Sequence, residues 1–261
     1  HDAYLSVMEA LKHGGIANRT KVSIKWVDSE FLTPEILDDT FAGVDGIIIP
    51  GGFGSRGTEG MILAANYARE NKIPFLGICL GMQMAMVAFA RKVLGYEDAN
   101  SSELNPDTTH PVVDLMPDQN GIENLGGTLR LGSYPCVLDK KSKAYALYGT
   151  ELINERHRHR FEINNHYRDD FTSHGMMISG QSPDGHIVEM IELPDHPFYV
   201  GIQAHPELKS RPNHAHPLFA GFVESAEEQG VLRRAKKLLM KRNHLSEPEA
   251  HRYLQKTSMD T

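Results

Sequence analysis

Apolar residues recur at helical spacing at the start of the chain. Tyr4, Val7, Met8 and Leu11 share one face, and Gly14-Gly15 predicts the stop. Val22, Ile24 and Trp26 then alternate with polar neighbours, the period of a half-buried strand. Gly46 to Ile49 is a short apolar run that enters a glycine-rich turn. Thr58 to Asn71 reads as a helix, Pro74 to Ile78 as a buried strand, and Leu80 to Val93 as a helix rich in Met and Ala. Strand alternating with helix predicts an α/β fold, doubly wound, whose largely parallel sheet carries helices on both faces. From Val112 to Gln203 the pattern changes to short β-like runs (Thr128–Leu131, Met176–Gly180, Ile187–Leu193) with turn signals such as Pro183-Asp184-Gly185. These predict a small antiparallel extension.

Composition narrows the class. A chain of 261 residues with 40% hydrophobic content can form one large domain, and a net charge of −7 gives no footing for nucleic acid. No apolar run approaches the length of a membrane span or forms the core of a signal peptide, so no membrane partner is expected. The two cysteines, Cys79 and Cys136, are too few for a disulfide framework. A free thiol that does chemistry fits a reducing compartment, and the expected location is the cytoplasm.

Cys79 stands where the strand ending at Ile78 must turn sharply into the following helix. Gly77 and Gly81 flank it at −2 and +2, removing side chains that would clash in a tight strand-to-helix turn, the steric logic of a nucleophile elbow. The helix N-terminus favours the thiolate. A buried structural thiol is the alternative reading of a cysteine in such a core. A base and its orienter are available in Tyr199 to Glu207, an apolar strand that ends in His205-Pro206-Glu207. Residues two apart in an extended segment share a face, which puts His205 and Glu207 side by side. The turn Pro50-Gly51-Gly52-Phe53-Gly54 exposes backbone N–H groups able to hold an oxyanion. Neither the dinucleotide nor the P-loop glycine pattern is present.

PGGFG, GICLGMQ and QAHPE, in this order, resemble the class I (triad) glutamine amidotransferases. The further strings DAYLSVMEALKHGG at 2–15, PGGFGSRGTEGM at 50–61, Ala99 to Glu103, Leu129 to Gly132, ERHRHRFEIN at 155–164 and HPELKSRP at 205–212 resemble most the glutaminase domains of CTP synthase. The resemblance implies a catalytic triad of Cys79, His205 and Glu207, with the backbone N–H groups of Gly52 and Leu80 as oxyanion hole. It implies that Gly52, Gln83, Glu103 and Arg160 bind L-glutamine, Glu103 facing the ammonium and Arg160 the carboxylate. Arg158 is the neighbouring alternative for the carboxylate. An acid and a guanidinium suit a zwitterion, and arginine grips a carboxylate bidentately. Further implications are hydrolysis through a γ-glutamyl thioester, no cofactor in this domain, and ammonia passed to an upstream synthetase domain. That domain uses ATP and Mg to aminate UTP to CTP, in a homotetramer. GTP is the implied allosteric activator, with Arg56 and Arg130 as its responding positions.

Two other readings stay open: a free-standing cysteine γ-glutamyl hydrolase, and a non-catalytic regulatory module of the same fold. Fourteen histidines invite a metal reading, above all His157 and His159 and the pair His214 and His216. The interleaved Arg156, Arg158 and Arg160 oppose a cation, no zinc pattern is present, and no metal site is expected. In the family an apolar strand directly precedes the DAYLSV segment. Residues 1–229 are therefore expected to be an amidotransferase domain lacking its first strand, its synthetase domain absent from this chain. Residues 230–261, a narrow apolar stripe on a basic helix, are expected to be a peripheral or disordered tail.

Overall fold

A computed structural model of the protein describes residues 4–115, 130–243 and 245–259. Helix α1 (Leu5–Ala17) leads to a stretch with two single 3-10 turns and then to the short helix α2 (Leu37–Phe41). Strand β1 (Ile47–Ile49), helix α3 (Thr58–Glu70), strand β2 (Phe75–Ile78) and helix α4 (Leu80–Lys92) follow where the pattern places them. Next come β3 (Asn100–Ser101), β4 (Pro111–Asp114), β5 (Arg130–Leu138), α5 (Lys143–Tyr148), β6 (Leu152–His159), β7 (Glu162–Ile163) and α6 (Arg168–Ser173). The chain continues through β8 (Met177–Gln181), β9 (Val188–Glu192), β10 (Tyr199–Ile202), α7 (Pro217–Asn243) and α8 (Glu247–Met259). Thr128 and Leu129, part of an expected β run, lie outside the described residues.

The main sheet has seven strands in the order β1-β2-β10-β9-β8-β5-β6, and β3-β4-β7 form a smaller sheet. Strand β2 pairs in parallel with β1 and β10, and every pairing from β10 to β6 is antiparallel. The mixed sheet is of the expected α/β class, with the antiparallel share larger than the short β-like runs suggest. Helices α3 and α4 pack on one face of β2, and α1, α5 and α7 on the other. Strand β2 is buried along its whole length, which is why Phe75 to Ile78 is uninterruptedly apolar. Helix α4 is buried from Leu80 to Ala90, and its Met and Ala side chains fit where there is no solvent face.

Two local expectations fail for tertiary reasons. Helix α1 runs through Gly14-Gly15 to Ala17. The glycines serve close approach: a Cβ on Gly14 would lie 2.7 Å from the Phe219 carbonyl oxygen of α7, and one on Gly15 2.8 Å from that of Thr20. The alternating Val22, Ile24 and Trp26 do not form a strand. A strand needs a hydrogen-bonding neighbour. Here a cavity of about 1000 Å³, lined by Val22, Ile24, Leu11, Ile48 and Phe222, separates this stretch from β1.

Candidate active site

Strands β2 and β10 lie side by side and parallel, so the segments leaving their C-terminal ends emerge together. Cys79 is the first residue after β2. Its N–H donates to the Ile202 carbonyl of β10 at 2.7 Å, and it caps α4 with φ 52° and ψ −106°. A left-handed φ is costly for a residue with a side chain, and it persists because both flanks are fixed. The glycines prove sterically required. A Cβ on Gly77 would lie 2.7 Å from the Gly81 carbonyl oxygen, and one on Gly81 only 2.0 Å from that of Ile49.

His205 lies three residues beyond β10. Its backbone N–H donates to the Arg156 carbonyl at 2.7 Å. Although β6 is four strands away from β10 in the sheet, the antiparallel end curls back to touch this loop. The His205 Nδ1 meets Glu207 Oε1 at 2.7 Å. The expected pair forms, for a reason other than the one expected. The strand ends at Ile202, and Pro206–Lys209 is a 3-10 turn that folds Glu207 back under the ring, where an extended segment was anticipated.

The other ring nitrogen, Nε2, is buried on the side of Cys79. A methyl on Gly51 would lie 2.7 Å from His205 Cε1 and 3.4 Å from Cys79 Cβ, so the two side chains face one another across that glycine. Burial disfavours a charged ring here. The hydrogen bonding and charge of Cys79 and Glu207 outweigh it and raise His205 to about 10. The constellation therefore favours an imidazolium beside the sulfur.

A cavity of about 210 Å³ opens in front of the sulfur, lined among others by Gly52, Phe53, Leu80, Gln83, Glu103, Arg158, Arg160 and Phe161. Four separate segments supply this wall. Leu80 is the first residue of α4, so its N–H has no acceptor within the helix. Gly52 lies close by: a Cβ on it would be 3.5 Å from Leu80 Cδ2. Gln83 stands one turn along α4 and donates through Nε2 to the Phe161 carbonyl at 3.1 Å and to Gln203 Oε1 at 3.3 Å. Desolvation holds the Glu103 carboxyl above its ordinary value, against the pull of Arg160, which places the acid and the guanidinium within electrostatic reach. Arg158 also lines the cavity, its guanidinium 5.5 Å from the centre of the Phe53 ring.

Arg56 and Arg130 are not in this wall. Arg56 is exposed and pairs with Glu30. Arg130 is half-buried, 2.8 Å from Glu189 and 3.4 Å from Glu162, with its guanidinium over the Tyr134 ring. Burial pushes Glu162 up to about 8 despite Arg130. The alternation along β6 turns His157 and His159 inward and Arg156 and Arg158 outward. The two imidazoles meet at 2.9 Å. Burial, with Arg130 adding to it, lowers His157 to about 2 and His159 to about 3, so both rings are neutral. Among the described residues no group of three or more His, Cys, Asp or Glu is placed to hold a metal ion.

Sequence reasoning gave no role to Gln203 or Phe161. Gln203 stands two positions before His205, inside a string already singled out, and that spacing was its available signal. Phe161 contributes a backbone carbonyl, for which no side-chain pattern exists.

The class-I glutamine amidotransferase profile matches residues 1–225, and an ANTAR domain profile matches residues 222–261. CTP synthase of Clostridium beijerinckii is 60% identical over 229 residues, 88% of this chain and 43% of that protein. CTP synthase of Carboxydothermus hydrogenoformans is 59% identical over 222 residues, 85% of this chain and 42% of that protein. The chain thus spans less than half the length of these curated relatives. The solved glutaminase domain of Trypanosoma brucei CTPS with bound acivicin superposes with a TM-score of 0.83 at 36% identity, covering 87% of this chain and 89% of that one. With its fold and most of its length matched in this way, the chain belongs to the class-I glutamine amidotransferases, within the group formed by the glutaminase domains of CTP synthases.

Proposed function

We propose that this chain hydrolyses L-glutamine to glutamate and ammonia through Cys79, His205 and Glu207. The observation that carries the reading is the juxtaposition of a strained cysteine and a half-buried imidazole oriented by Glu207, at the mouth of a cavity lined by an acid and two arginines. The thiolate attacks the side-chain amide carbonyl, and the oxyanion meets the Gly52 and Leu80 N–H groups. The imidazolium gives its Nε2 proton to the departing nitrogen, ammonia leaves, and a γ-glutamyl thioester remains. Water, deprotonated by the same ring, hydrolyses it. Glu103 and Arg160 hold the amino-acid end of the substrate, with Arg158 against Phe53 at the edge.

In this reading the ammonia serves the amination of UTP to CTP by a synthetase domain using ATP and Mg, in a cytoplasmic homotetramer. The test is ammonia release from glutamine by the intact protein, measured with and without GTP and with UTP plus ATP. Absence of release under every condition would exclude the reading.

GTP activation is assigned to Arg56 directly and to Arg130 through its hold on Glu162, next to the Phe161 segment. Arg56→Ala is expected to lose most of the GTP activation of ammonia release. Unaltered activation removes Arg56 from that role.

Glu207→Gln is expected to act through the ring. Removing the anion takes away one of the interactions that raise His205, so the imidazolium is lost at lower pH. The alkaline limb of the kcat/KM profile should lie near pH 10 in the unmodified protein and move to lower pH in the variant, with kcat reduced about 100-fold. A limb that stays in place would show that Glu207 does not govern His205.

A further inference from the structure

We propose that Gln203 is a catalytic residue, its side-chain amide donating a hydrogen bond to the Cys79 sulfur and holding it as the attacking and departing thiolate. The inference rests on the reading of Cys79 as nucleophile. Gln203 is wholly buried, directly after β10, and its Nε2 lies 3.7 Å from Cys79 Sγ. Its backbone N–H is fixed to the Glu189 carbonyl at 2.9 Å.

The neighbouring amide sets which end of Gln203 faces the sulfur. Gln83 Nε2 donates to the Phe161 carbonyl, an oxygen that can only accept, so the Gln83 NH₂ group must point this way. Its second hydrogen then goes to Gln203 Oε1. Turning Gln203 over would oppose two NH₂ groups and place a carbonyl oxygen against the sulfur. The chain of amides therefore runs in one direction, from the Phe161 carbonyl to Cys79 Sγ. The two links that end at the sulfur, Gln83 to Gln203 and Gln203 to Cys79, are buried, where a dipole aimed at an anion acts more strongly than in water.

This donor differs from His205 in a way the chemistry uses. In acylation the S–C bond forms, the C–N bond breaks, and the His205 proton leaves on ammonia. In deacylation water adds to the thioester carbonyl, its proton goes to His205, and the C–S bond breaks with its electron pair returning to sulfur. The Gln203 amide does not titrate, so its N–H stays aimed at the sulfur through both steps.

The test is alkylation of Cys79 by iodoacetamide across pH 5 to 10, followed by peptide mass spectrometry that separates Cys79 from Cys136. The intact protein is compared with its Gln203→Leu and Gln203→Glu variants, and thermal melting verifies folding. Gln203→Glu matches the amide in shape and still accepts from Gln83, so it is the variant expected to stay folded. Gln203→Leu should lower the alkylation rate at pH 7 about tenfold and move the pH profile up by about one unit, the effect of one hydrogen bond to a charged group. Gln203→Glu should move it further, by placing a carboxylate beside the sulfur. A folded Gln203→Glu protein with the unmodified profile overturns the proposal. If Cys79 in the unmodified protein resists alkylation and ammonia release survives Cys79→Ala, the nucleophile reading falls and this inference with it.

Discussion

Replacing Cys79 with alanine is expected to lower ammonia release from glutamine by about 10⁴-fold or more, the scale seen when an activated nucleophile is removed from a site that acts as a unit. The remaining groups could bind glutamine and polarise its amide, but water would have to attack without the sulfur. Binding should survive, because the groups proposed to hold the amino acid, on Gln83, Glu103 and Arg160, line the cavity and are untouched. Stability should change little, since the thiol is small and its backbone N–H bond to Ile202 is kept. A coupled assay for ammonia, with glutamine binding followed by calorimetry, separates the two. Full turnover by Cys79→Ala would end the triad mechanism.

Gly81→Ala is expected to destabilise the fold by about 3 kcal/mol, or roughly 10 °C in Tm, and to abolish turnover. The added methyl would sit 2.0 Å from the Ile49 carbonyl oxygen, and its obstacle is backbone on a buried strand. A flexible side chain could swing aside, but here β1 or the start of α4 must move. Either shift displaces the Leu80 N–H and the Cys79 backbone, whose φ of 52° depends on both flanks. Thermal melting and the ammonia assay on the same sample check this. Gly54→Ala is a useful contrast, because a Cβ there meets nothing within 4 Å and only its φ of 83° opposes the change. A Gly81→Ala protein with unchanged Tm and activity would show that the elbow tolerates a side chain at that position.

The elbow was legible because everything it needs lies within the seven residues from Phe75 to Gly81: an apolar strand, two glycines, a cysteine and a helix start. The cavity wall was legible only through the resemblance. Glu103 and Arg160 are ordinary surface charges in any local window, and the sheet brings them to one cavity. The pairing of His205 with Glu207 was expected for the wrong local reason, since a proline-led 3-10 turn, not strand geometry, joins them. Gly14-Gly15 reads as a stop because glycine weakens helices, yet contact with α7 outweighs that weakness. Val22 to Trp26 has the period of a strand and forms none, because a strand exists only with a neighbour.

By itself the sequence determined the alternation of strand and helix, the position of Cys79 in a tight strand-to-helix turn and the steric need for its glycines, since periodicity and turn chemistry act over a few residues. The tertiary structure decided what faces Cys79. The curl of the antiparallel strands sets the Arg156 carbonyl against His205 and brings Arg158 and Arg160 to the cavity. The direction of the buried amides at Gln83 and Gln203 follows from a backbone carbonyl at Phe161. The amide contacts join residues about 80 to 120 positions apart, so register and sheet curvature fix them, and no local pattern encodes either.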